Sequence, residues 1–469
     1  MLQNKFRMIV WMTLCSLFIT CNRPGNNDFP SDDRVEIRLS ADTLYAASLV
    51  SNAIDICITN RSAVQKLVIK KQDSKGITTH ESIPAAGLAE SYTFTYQPNT
   101  GDEDRFYFIL QAQNENNKVL ASKNLVVETR YGIIVSGLVK ISRVTGKTLN
   151  DEHIANPNRT DERYNVGGTD LGIIWDMENG SYGLFFGDTY GKSFIPVPGG
   201  GPGAAGDWRS NVLAFSSDTD LDDGLRFSGM AVDNSGNARE IAWSAKNTSG
   251  NGDYTSIPTA AIHADGVDYL HYMNIRTWTG WVTNYSALYA SDNHGETWRH
   301  CSEVIFQSNS PFGQVALAKK DGYVYMMGTP TGRDGSACLA RIPEKSMLKQ
   351  ADYEYRNAGQ GWVKGSETQA TVMIDGKVGE ASLMYHRKFG RWIYTYFDPE
   401  EYALCYRDAA DITGPWTKEK ILVKSADYPA LYGSFMHPAK DADDRLYFTM
   451  SQWGPYNVFL MRADLQCIK

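Results

Sequence analysis

The order of apolar and polar residues predicts short β-strands along most of the chain, in two regions of different pattern. In residues 34–129, apolar and polar positions alternate in runs such as VEIRLS, AIDICITN and SYTFTYQP, which turn-forming residues separate. Alternation with a period of two is typical of strands that bury one face. Roughly six or seven such strands in a segment of this length predict an immunoglobulin-like β-sandwich. This segment has no cluster of histidines and carboxylates, so we expect it to be a spacer between a membrane anchor and the catalytic domain. Sugar binding or docking is the alternative.

In residues 130–469, a longer unit repeats five times. Each copy opens with an inner strand, such as TDLGIIWD or GQVALAKKDG, and continues with an aromatic-rich strand, such as YGLFFGD or YVYMMGT. Repeats of this size made of short strands are typical of β-propellers. The predicted fold is therefore all-β, with an N-terminal immunoglobulin-like β-sandwich followed by a five-bladed β-propeller in residues 130–469.

Two short segments indicate how the propeller is completed. GLVKISRV, which begins at Gly137, precedes the first complete blade and has no partner strand there. We predict that it pairs in the last blade, because such closure covers edges that an open sheet would expose. SDNHGETW, from Ser291 to Trp298, resembles the Asp-box turn of propeller hydrolases, with Asn293 in place of the usual Asp. We expect this turn to stabilise an outer corner and to take no part in chemistry.

The N-terminus predicts export and lipid anchoring. Lys5 and Arg7 precede an apolar run that is too short to span a bilayer, as in signal peptides. The run ends in FITC, which resembles a lipobox with Cys21 as the lipidated residue; an ordinary secretory signal is the alternative. We predict a signal peptide in residues 1–20, a flexible polar linker in residues 21–33 and an exported lipoprotein of the outer membrane, on the cell surface or the periplasmic face.

Composition narrows the range of partners. The 469-residue chain has a formal net charge of −8 and no basic cluster, so nucleic acid is not an expected partner. Its 26 tyrosines and 11 tryptophans suit contacts with sugar rings. Apart from Cys15 and Cys21, the number of cysteines is odd and no CxxC spacing occurs, which argues against a disulfide framework and a zinc site. We expect a monomer with no cofactor and no metal site.

Two aspartates carry the strongest chemical signal. NVGGTDLGIIWD places Asp170 at the start of the first inner strand, and GLFFGDTYG places Asp188 at the end of the next strand. Antiparallel strands joined by a hairpin bring these two ends together, so both carboxylates are predicted to face one pocket. Paired carboxylates suit glycoside hydrolysis, in which one protonates the leaving oxygen and the other acts as nucleophile or activates water. A turn-capping role for Asp188 is the alternative.

The roles of the individual residues are less constrained by the sequence. The rigid inner-strand position favours Asp170 as base or nucleophile, whereas the apolar LFF run before Asp188 favours a raised pKa and the role of acid. Glu380 opens another inner strand, and we expect it either to act as the general acid or to orient a sugar hydroxyl. The residues predicted to bind substrate are Tyr190, Trp208, Arg209, Asn211, His263, Trp281 and His437. For the aromatic residues and the histidines among them, a packing role is the alternative.

The segments GGTDLG, FGDTYG and WRSN together resemble the endo-D-arabinanases of glycoside hydrolase family 183, formerly known only as a domain of unknown function. The resemblance covers residues 134–469 and implies a five-bladed hydrolase of internal α-D-arabinofuranosyl links in mycobacterial arabinogalactan and lipoarabinomannan. It implies Asp170 and Asp188 as the catalytic carboxylates, whereas Glu380 rests on its strand position alone. The domain order also resembles glycan-foraging surface lipoproteins of Bacteroidota-type bacteria. The implied partners are a D-arabinan polysaccharide and an outer-membrane lipid anchor.

Three other functions are compatible with parts of this pattern. A sialidase would share the Asp-box turn but needs an arginine cluster, and arginines do not recur at the blade starts. A non-catalytic glycan-binding lipoprotein would use the aromatic residues without the carboxylate pair. Hydrolysis of L-arabinan or fructan by a related five-bladed fold is the third alternative.

Overall fold

The computed structural model describes residues 34–47, 52–89, 91–98, 102, 105–130, 132–150, 152–196, 200–202 and 207–468. The chain divides into two units, Met1–Tyr131 with Ile468–Lys469 and Gly132–Cys467. Strands dominate both units, which confirms the predicted all-β class. The predicted signal peptide, the linker and Cys21 lie outside the described residues. In the described part of the chain, no helix has the length and apolar character needed to cross a membrane.

The described strands of the first unit are β1 (Ile37–Leu39), β2 (Thr43–Ala47), β3 (Asn52–Ile58), β4 (Lys66–Asp73), β5 (Gly76–Pro84), β6 (Ser91–Tyr96), β7 (Arg105–Gln113) and β8 (Val119–Arg130). They form one sheet of order β1-β3-β6 and a second of order β2-β8-β7-β4-β5, in which only β2 and β8 pair in parallel. Both sheets contribute apolar side chains to one buried core, for example Ile56 and Phe94 from the first sheet and Phe108 and Leu125 from the second. Burying one face of each sheet explains the period of two in the sequence.

The second unit begins with β9 (Gly132–Arg143) and the short helix α1 (Thr160–Tyr164). Its first sheet contains β10 (Leu171–Asp176), β11 (Tyr182–Phe186), β14 (Val212–Ser216) and β15 (Gly229–Met230), and a small ribbon joins β12 (Thr189–Tyr190) to β13 (Trp208–Arg209). The second sheet contains β16 (Thr255–Ala264), β17 (Val267–Thr277), β18 (Val282–Ser291) and β19 (Arg299–Gln307).

The third sheet contains β20 (Gln314–Lys320), β21 (Tyr323–Thr329), β22 (Gly335–Pro343), β23 (Glu354–Asn357) and β24 (Gly361–Lys364), with β25 (Val372–Val378) paired to β22. The fourth contains β26 (Ala381–His386), β27 (Arg391–Asp398), β28 (Ala403–Ala409) and β29 (Lys420–Lys424). The fifth contains β30 (Leu431–Met436), β31 (Arg445–Gln452), β32 (Asn457–Ile468) and β9. Short 3₁₀ helices occupy Arg61–Ala63, Ala85–Gly87, Glu344–Ser346, Gln350–Asp352, Glu367–Gln369 and Pro438–Lys440.

The first strands of these sheets form a closed ring in the described part of the second unit. Strands β10, β16, β20, β26 and β30 contact one another in this order, and β30 contacts β10. Small residues such as Ala260, Ala316 and Ala381 are buried where these inner strands meet, which allows their backbones to approach closely. Strand β9 pairs with β32 and completes the last sheet, which confirms the prediction for the segment beginning at Gly137.

The turn that resembles an Asp-box lies between β18 and β19. The side chain of Asn293 accepts a hydrogen bond from the backbone N–H of Thr297 at 2.9 Å, and the hydroxyl of Ser291 accepts one from Gly295 N–H at 2.8 Å. Trp298, at the end of the turn, packs edge-on against Trp175 of the first sheet. The turn therefore supports the contact between two neighbouring sheets.

The cysteines depart from the expectation at one position. Cys301, Cys338 and Cys405 are buried free thiols, as expected for small apolar residues. Cys57 is disulfide-bonded, and the argument from an odd cysteine count was wrong for this residue.

Candidate active site

A cavity of about 360 Å³ opens where the inner strands of the ring begin. Its wall includes Asp170 just before β10, Glu380 just before β26 and Asp188 shortly after β11. Strands β10 and β11 are antiparallel, with Leu171 opposite Phe186, so the start of one lies beside the end of the other. The structure thus brings together the three acidic residues that the sequence singled out.

The backbone beside Asp170 has an unusual conformation. Leu171 has a φ of 69° and Gly172 a φ of 87°, and the register between β10 and β11 shifts at this point. A positive φ is unfavourable for leucine and requires support from the surrounding structure. Part of that support comes from the last sheet, where the hydroxyl of Ser451 accepts a hydrogen bond from Leu171 N–H at 2.8 Å. The kink marks the position at which Asp170 enters the cavity wall.

The carboxyl group of Asp170 has few partners. Its Oδ2 accepts a hydrogen bond from the hydroxyl of Tyr432 at 3.1 Å, while its Oδ1 is buried without a hydrogen-bond partner among the described residues. Burial, followed by the nearby charge of Asp188, raises the pKa of Asp170 to about 8. Both causes disfavour the ionised form, so Asp170 carries its proton at neutral pH.

Asp188 lies in a more polar environment. One of its oxygens, Oδ1, accepts hydrogen bonds from the indole N–H of Trp208 at 2.8 Å and from the hydroxyl of Thr255 at 2.6 Å. Burial raises the pKa of Asp188 to about 6, while the two hydrogen bonds limit the rise because they stabilise the ionised carboxylate. Asp188 is therefore largely ionised at neutral pH.

This order of pKa values is the reverse of the order expected from the sequence. The expectation that Asp188 has the more strongly raised pKa was wrong, because Asp170 has the higher value. Burial raises both pKa values, but hydrogen bonds from Thr255 and Trp208 limit the rise at Asp188. At Asp170 the charge of Asp188 adds to burial, and the one hydrogen bond, from Tyr432, acts in the opposite direction.

Glu380 forms an ion pair with Arg333. The guanidinium group donates from Nη2 to Oε1 at 2.6 Å and from Nε to both carboxylate oxygens at 3.2 Å. Arg333 also lies over the rings of Trp281, Phe397 and Tyr432, at 4.7 to 5.3 Å from their centroids. A carboxylate held in this way is an acceptor for a ligand hydroxyl rather than a proton donor. The position of Glu380 favours the orienting role over the role of general acid.

Aromatic side chains form much of the remaining wall. Trp281 lines the cavity, as predicted, and packs edge-on against Trp278, which is 39% exposed. Trp453, which is 41% exposed, stands in the turn after β31 and accepts a backbone hydrogen bond from Gly201 at 2.5 Å. Partly exposed indole rings beside buried carboxyl groups can stack on the apolar face of a sugar or another ring.

Four of the other predicted substrate-binding residues support the site or the fold from outside the cavity wall. Trp208 contacts Asp188, as described above, and Tyr190 stacks on Phe194. The guanidinium group of Arg209 donates hydrogen bonds to backbone carbonyl oxygens, and Asn211 bonds only to backbone groups within this part of the structure. Arg209 and Asn211 therefore hold the backbone of neighbouring segments and do not line the cavity.

The two predicted histidines lie at the other end of the inner strands. His263 lines a second cavity of about 470 Å³, which also contains Trp175 and Met436. His437 is fully buried, its Nδ1 accepts a hydrogen bond from Ala439 N–H at 3.2 Å, and burial lowers its pKa to about 3. Neither histidine lines the cavity that holds Asp170.

Several cavity residues were missed by the sequence analysis. Gln314 is the first residue of β20. Asp170 and Glu380 were chosen because they are polar residues at the start of an inner strand, and the same criterion would have found Gln314. Arg333 and Trp453 come from loops with no repeating pattern, and nothing in the local sequence distinguishes them from surface residues.

Fold and site together define an all-β protein with a closed ring of sheets and an acidic, aromatic-walled cavity at one end of its inner strands. The chain belongs to the DUF4185 family, described as a domain of unknown function, whose model matches residues 155–462. Among curated relatives, Notoamide biosynthesis cluster protein J' of Aspergillus versicolor is 28% identical over 64% of this chain and 84% of its own length. Notoamide biosynthesis cluster protein J of Aspergillus sp. (strain MF297-2) is 29% identical over 64% and 83%.

Solved structures with partial likeness include two glycoside hydrolases. A GH43_1 enzyme from Xanthomonas citri complexed with xylotriose is 11% identical, with a TM-score of 0.39, and the match covers 63% of this chain and 87% of that one. A family 117 glycoside hydrolase from Zobellia galactanivorans is 12% identical, with a TM-score of 0.40, and the match covers 70% and 90%.

Proposed function

We propose that this protein is a glycoside hydrolase and that Asp170 and Asp188 are its catalytic residues. The observation that carries the proposal is that two carboxyl groups with different raised pKa values line one cavity. Glycoside hydrolysis by a carboxylate pair requires one protonated and one ionised group on either side of the scissile bond. The pKa values of about 8 and about 6 supply both forms at neutral pH.

In this proposal, the protonated carboxyl of Asp170 donates its proton to the leaving oxygen as the glycosidic bond breaks. The ionised Asp188, oriented by Trp208 and Thr255, acts as the nucleophile or as the base that activates water. Glu380, held by Arg333, accepts a hydrogen bond from a sugar hydroxyl. Trp281 and Trp453 stack on neighbouring sugar rings.

The substrate that we propose is D-arabinan, cut at internal α-D-arabinofuranosyl linkages. This rests on the resemblance of GGTDLG, FGDTYG and WRSN to glycoside hydrolase family 183. In the same proposal, the ring of five sheets is a five-bladed propeller and residues 34–129 are an immunoglobulin-like spacer. Export and lipidation at Cys21 would then hold the monomeric enzyme at the outer membrane, near a polysaccharide outside the cell.

The decisive experiment incubates the purified protein with mycobacterial arabinogalactan, beside the variants Asp170→Asn and Asp188→Asn. Asp334→Asn is the matched control, since this side chain is 88% exposed. We expect soluble oligosaccharides from the wild type and the control and none from the other two variants. Products from all four proteins would support hydrolase activity but would show that Asp170 and Asp188 are not the catalytic residues. Binding of the glycan without release by any of them would favour a glycan-binding protein.

The apolar wall favours a second candidate function, which is acid–base catalysis on a small ring compound. Besides the indole rings, the cavity is lined by Leu171, Ile257, Met273 and Phe435. A compact apolar pocket with a few polar groups is typical of small-molecule sites, and the two fungal relatives are named for a biosynthesis cluster. Saturable quenching of tryptophan fluorescence by small non-fluorescent ring compounds, without release of sugars from any furanan, would favour this candidate.

A further inference from the structure

We propose that His263, Asp268 and His294 bind a divalent transition-metal ion of the zinc type. The three residues belong to the second sheet and lie at the end opposite the cavity of Asp170. His263 is near the end of β16 and pairs with Asp268 at the start of β17, while His294 stands in the turn after β18. The start of β17 lies beside the end of β18, with Asp268 opposite Ser291, which brings the turn to the other two residues. The proposal is independent of the proposed hydrolase function.

The distances between the donor atoms suit one small ion. Nδ1 of His263 is 3.0 Å from Oδ1 of Asp268, and Nδ1 of His294 is 3.6 Å from Oδ2 of the same carboxylate. One ligand atom from each residue lies within 4.8 Å of the others. In a tetrahedral site with bonds of about 2.0–2.1 Å, neighbouring ligand atoms are about 3.3 Å apart. Only small side-chain movements separate this arrangement from a coordination site.

A buried carboxylate oxygen gives a second and independent indication. Asp268 is 1% exposed, and its Oδ1 accepts a hydrogen bond from the indole N–H of Trp175 at 2.9 Å. Its Oδ2 is buried and has no hydrogen-bond partner among the described residues, since His294 is too distant to donate to it. A buried, unpaired carboxylate oxygen is costly, and a bound cation would remove that cost.

The donor set selects the class of metal. Two imidazole nitrogens and one carboxylate oxygen suit zinc and related first-row ions, whereas calcium and magnesium prefer sites built from oxygen atoms alone. The side chain of His294 is 48% exposed, so the ion can enter from solvent and keep water in a further position. Bound metal would tie the β16–β17 hairpin to the turn that ends at Trp298.

The test uses the full-length protein after treatment with a chelator. Isothermal titration with zinc chloride, combined with metal analysis of the dialysed protein, is expected to give one bound equivalent. His294→Asn should weaken binding at least about tenfold, because a ligand is lost. Asparagine is chosen because residue 294 has a φ of 52°, a conformation that asparagine tolerates. His153→Asn, at an exposed position between β9 and α1, is the control and should bind zinc like the wild type.

A second variant guards against an effect on folding. Asp268→Asn keeps an oxygen that can accept from Trp175 but removes the charge, and it should abolish zinc binding while the near-ultraviolet circular dichroism stays unchanged. No saturable zinc binding by the wild type would overturn the proposal, and so would equal affinity in His294→Asn and the wild type. Displacement of zinc by millimolar calcium would overturn the metal class.

Discussion

Asp170 and Gly187 pack against each other where β10 begins and β11 ends. The backbone N–H of Gly187 donates to the carbonyl oxygen of Asp170 at 3.1 Å, and a methyl group on residue 187 would overlap Oδ1 of Asp170. Gly187 thereby leaves room for a buried carboxylate oxygen and immediately precedes Asp188. A side chain at position 187 would therefore displace the carboxyl group of Asp170 from its place in the cavity wall.

Gly187→Ala is therefore expected to displace the side chain of Asp170. We expect kcat/KM for the proposed hydrolysis to fall by roughly a hundredfold, as for a small misplacement of a reacting group. The free energy of unfolding should fall by about 1–3 kcal/mol from overpacking. Gly229→Ala is the control, because an added methyl group there meets no atom within 4 Å. Equal kinetics in the two variants would contradict this view of Gly187.

The two raised pKa values predict a bell-shaped pH dependence. In the proposed mechanism, Asp188 takes up a proton below about pH 6 and can no longer act as base or nucleophile. Above about pH 8, Asp170 loses the proton that the leaving group would require. We expect kcat/KM to be greatest between an acid limb near pH 6 and an alkaline limb near pH 8. The apparent pKa values of the two limbs belong to the pair of aspartates and not to either residue alone. Initial rates measured from pH 4 to pH 10 would check this, and a maximum below pH 5 would refute the assignment.

Trp208→Phe should change the acid limb selectively. The substitution keeps an aromatic ring but removes the N–H that stabilises ionised Asp188, so the pKa of Asp188 should rise by about one unit. The acid limb of the kcat/KM profile should then move upward while the alkaline limb stays in place. Carbon-13 NMR of the labelled aspartate carboxyl groups measures the same shift without substrate.

Trp243→Phe is the matched control for this prediction. Trp243 is 67% exposed and should leave both limbs unchanged. A downward shift in Trp208→Phe, or the same shift in both variants, would show that the indole N–H does not set the pKa of Asp188.

Asp170→Asn should stabilise the protein at alkaline pH while abolishing activity. The pKa of Asp170 is raised in the folded state, so its contribution to stability is fully present below the unfolded value near pH 4 and is lost as the pH rises through about 8. Asparagine has no charge to bury, so the variant avoids the cost of burying the ionised carboxylate. Its free energy of unfolding should exceed that of the wild type by more than about 1 kcal/mol at pH 9 and differ little at pH 4, since each pKa unit corresponds to about 1.4 kcal/mol.

Thermal unfolding of Asp170→Asn and the wild type at pH 4 and pH 9 measures this difference. Asp334→Asn serves again as the control and should show no pH-dependent change, because its carboxyl group is exposed. A lower melting temperature for Asp170→Asn at both pH values would mean that the ionised carboxylate is not disfavoured by the fold.

The sequence predicted those features that depend on local pattern. Period-two alternation and the repeated aromatic strands predicted an all-β chain, and the unpartnered segment at Gly137 predicted the strand that completes the last sheet. The hairpin rule predicted that Asp170 and Asp188 meet at one end of neighbouring strands, which is where both line the cavity. These inferences hold because strand pairing is set by short-range periodicity and turn length.

Tertiary structure decided the chemistry of these positions. The pKa order of Asp170 and Asp188 depends on burial and on the hydrogen bonds that Trp208 and Thr255 donate to Asp188 from other strands, and the order expected from the sequence was wrong. The neighbourhood of His294 and Asp268 likewise depends on strand register, and the sequence predicted no metal site. The local sequence determined which residues stand at the ends of the inner strands. The packing of the sheets determined the pKa values and the neighbours of those residues, because burial and hydrogen bonding act between residues that are distant in sequence.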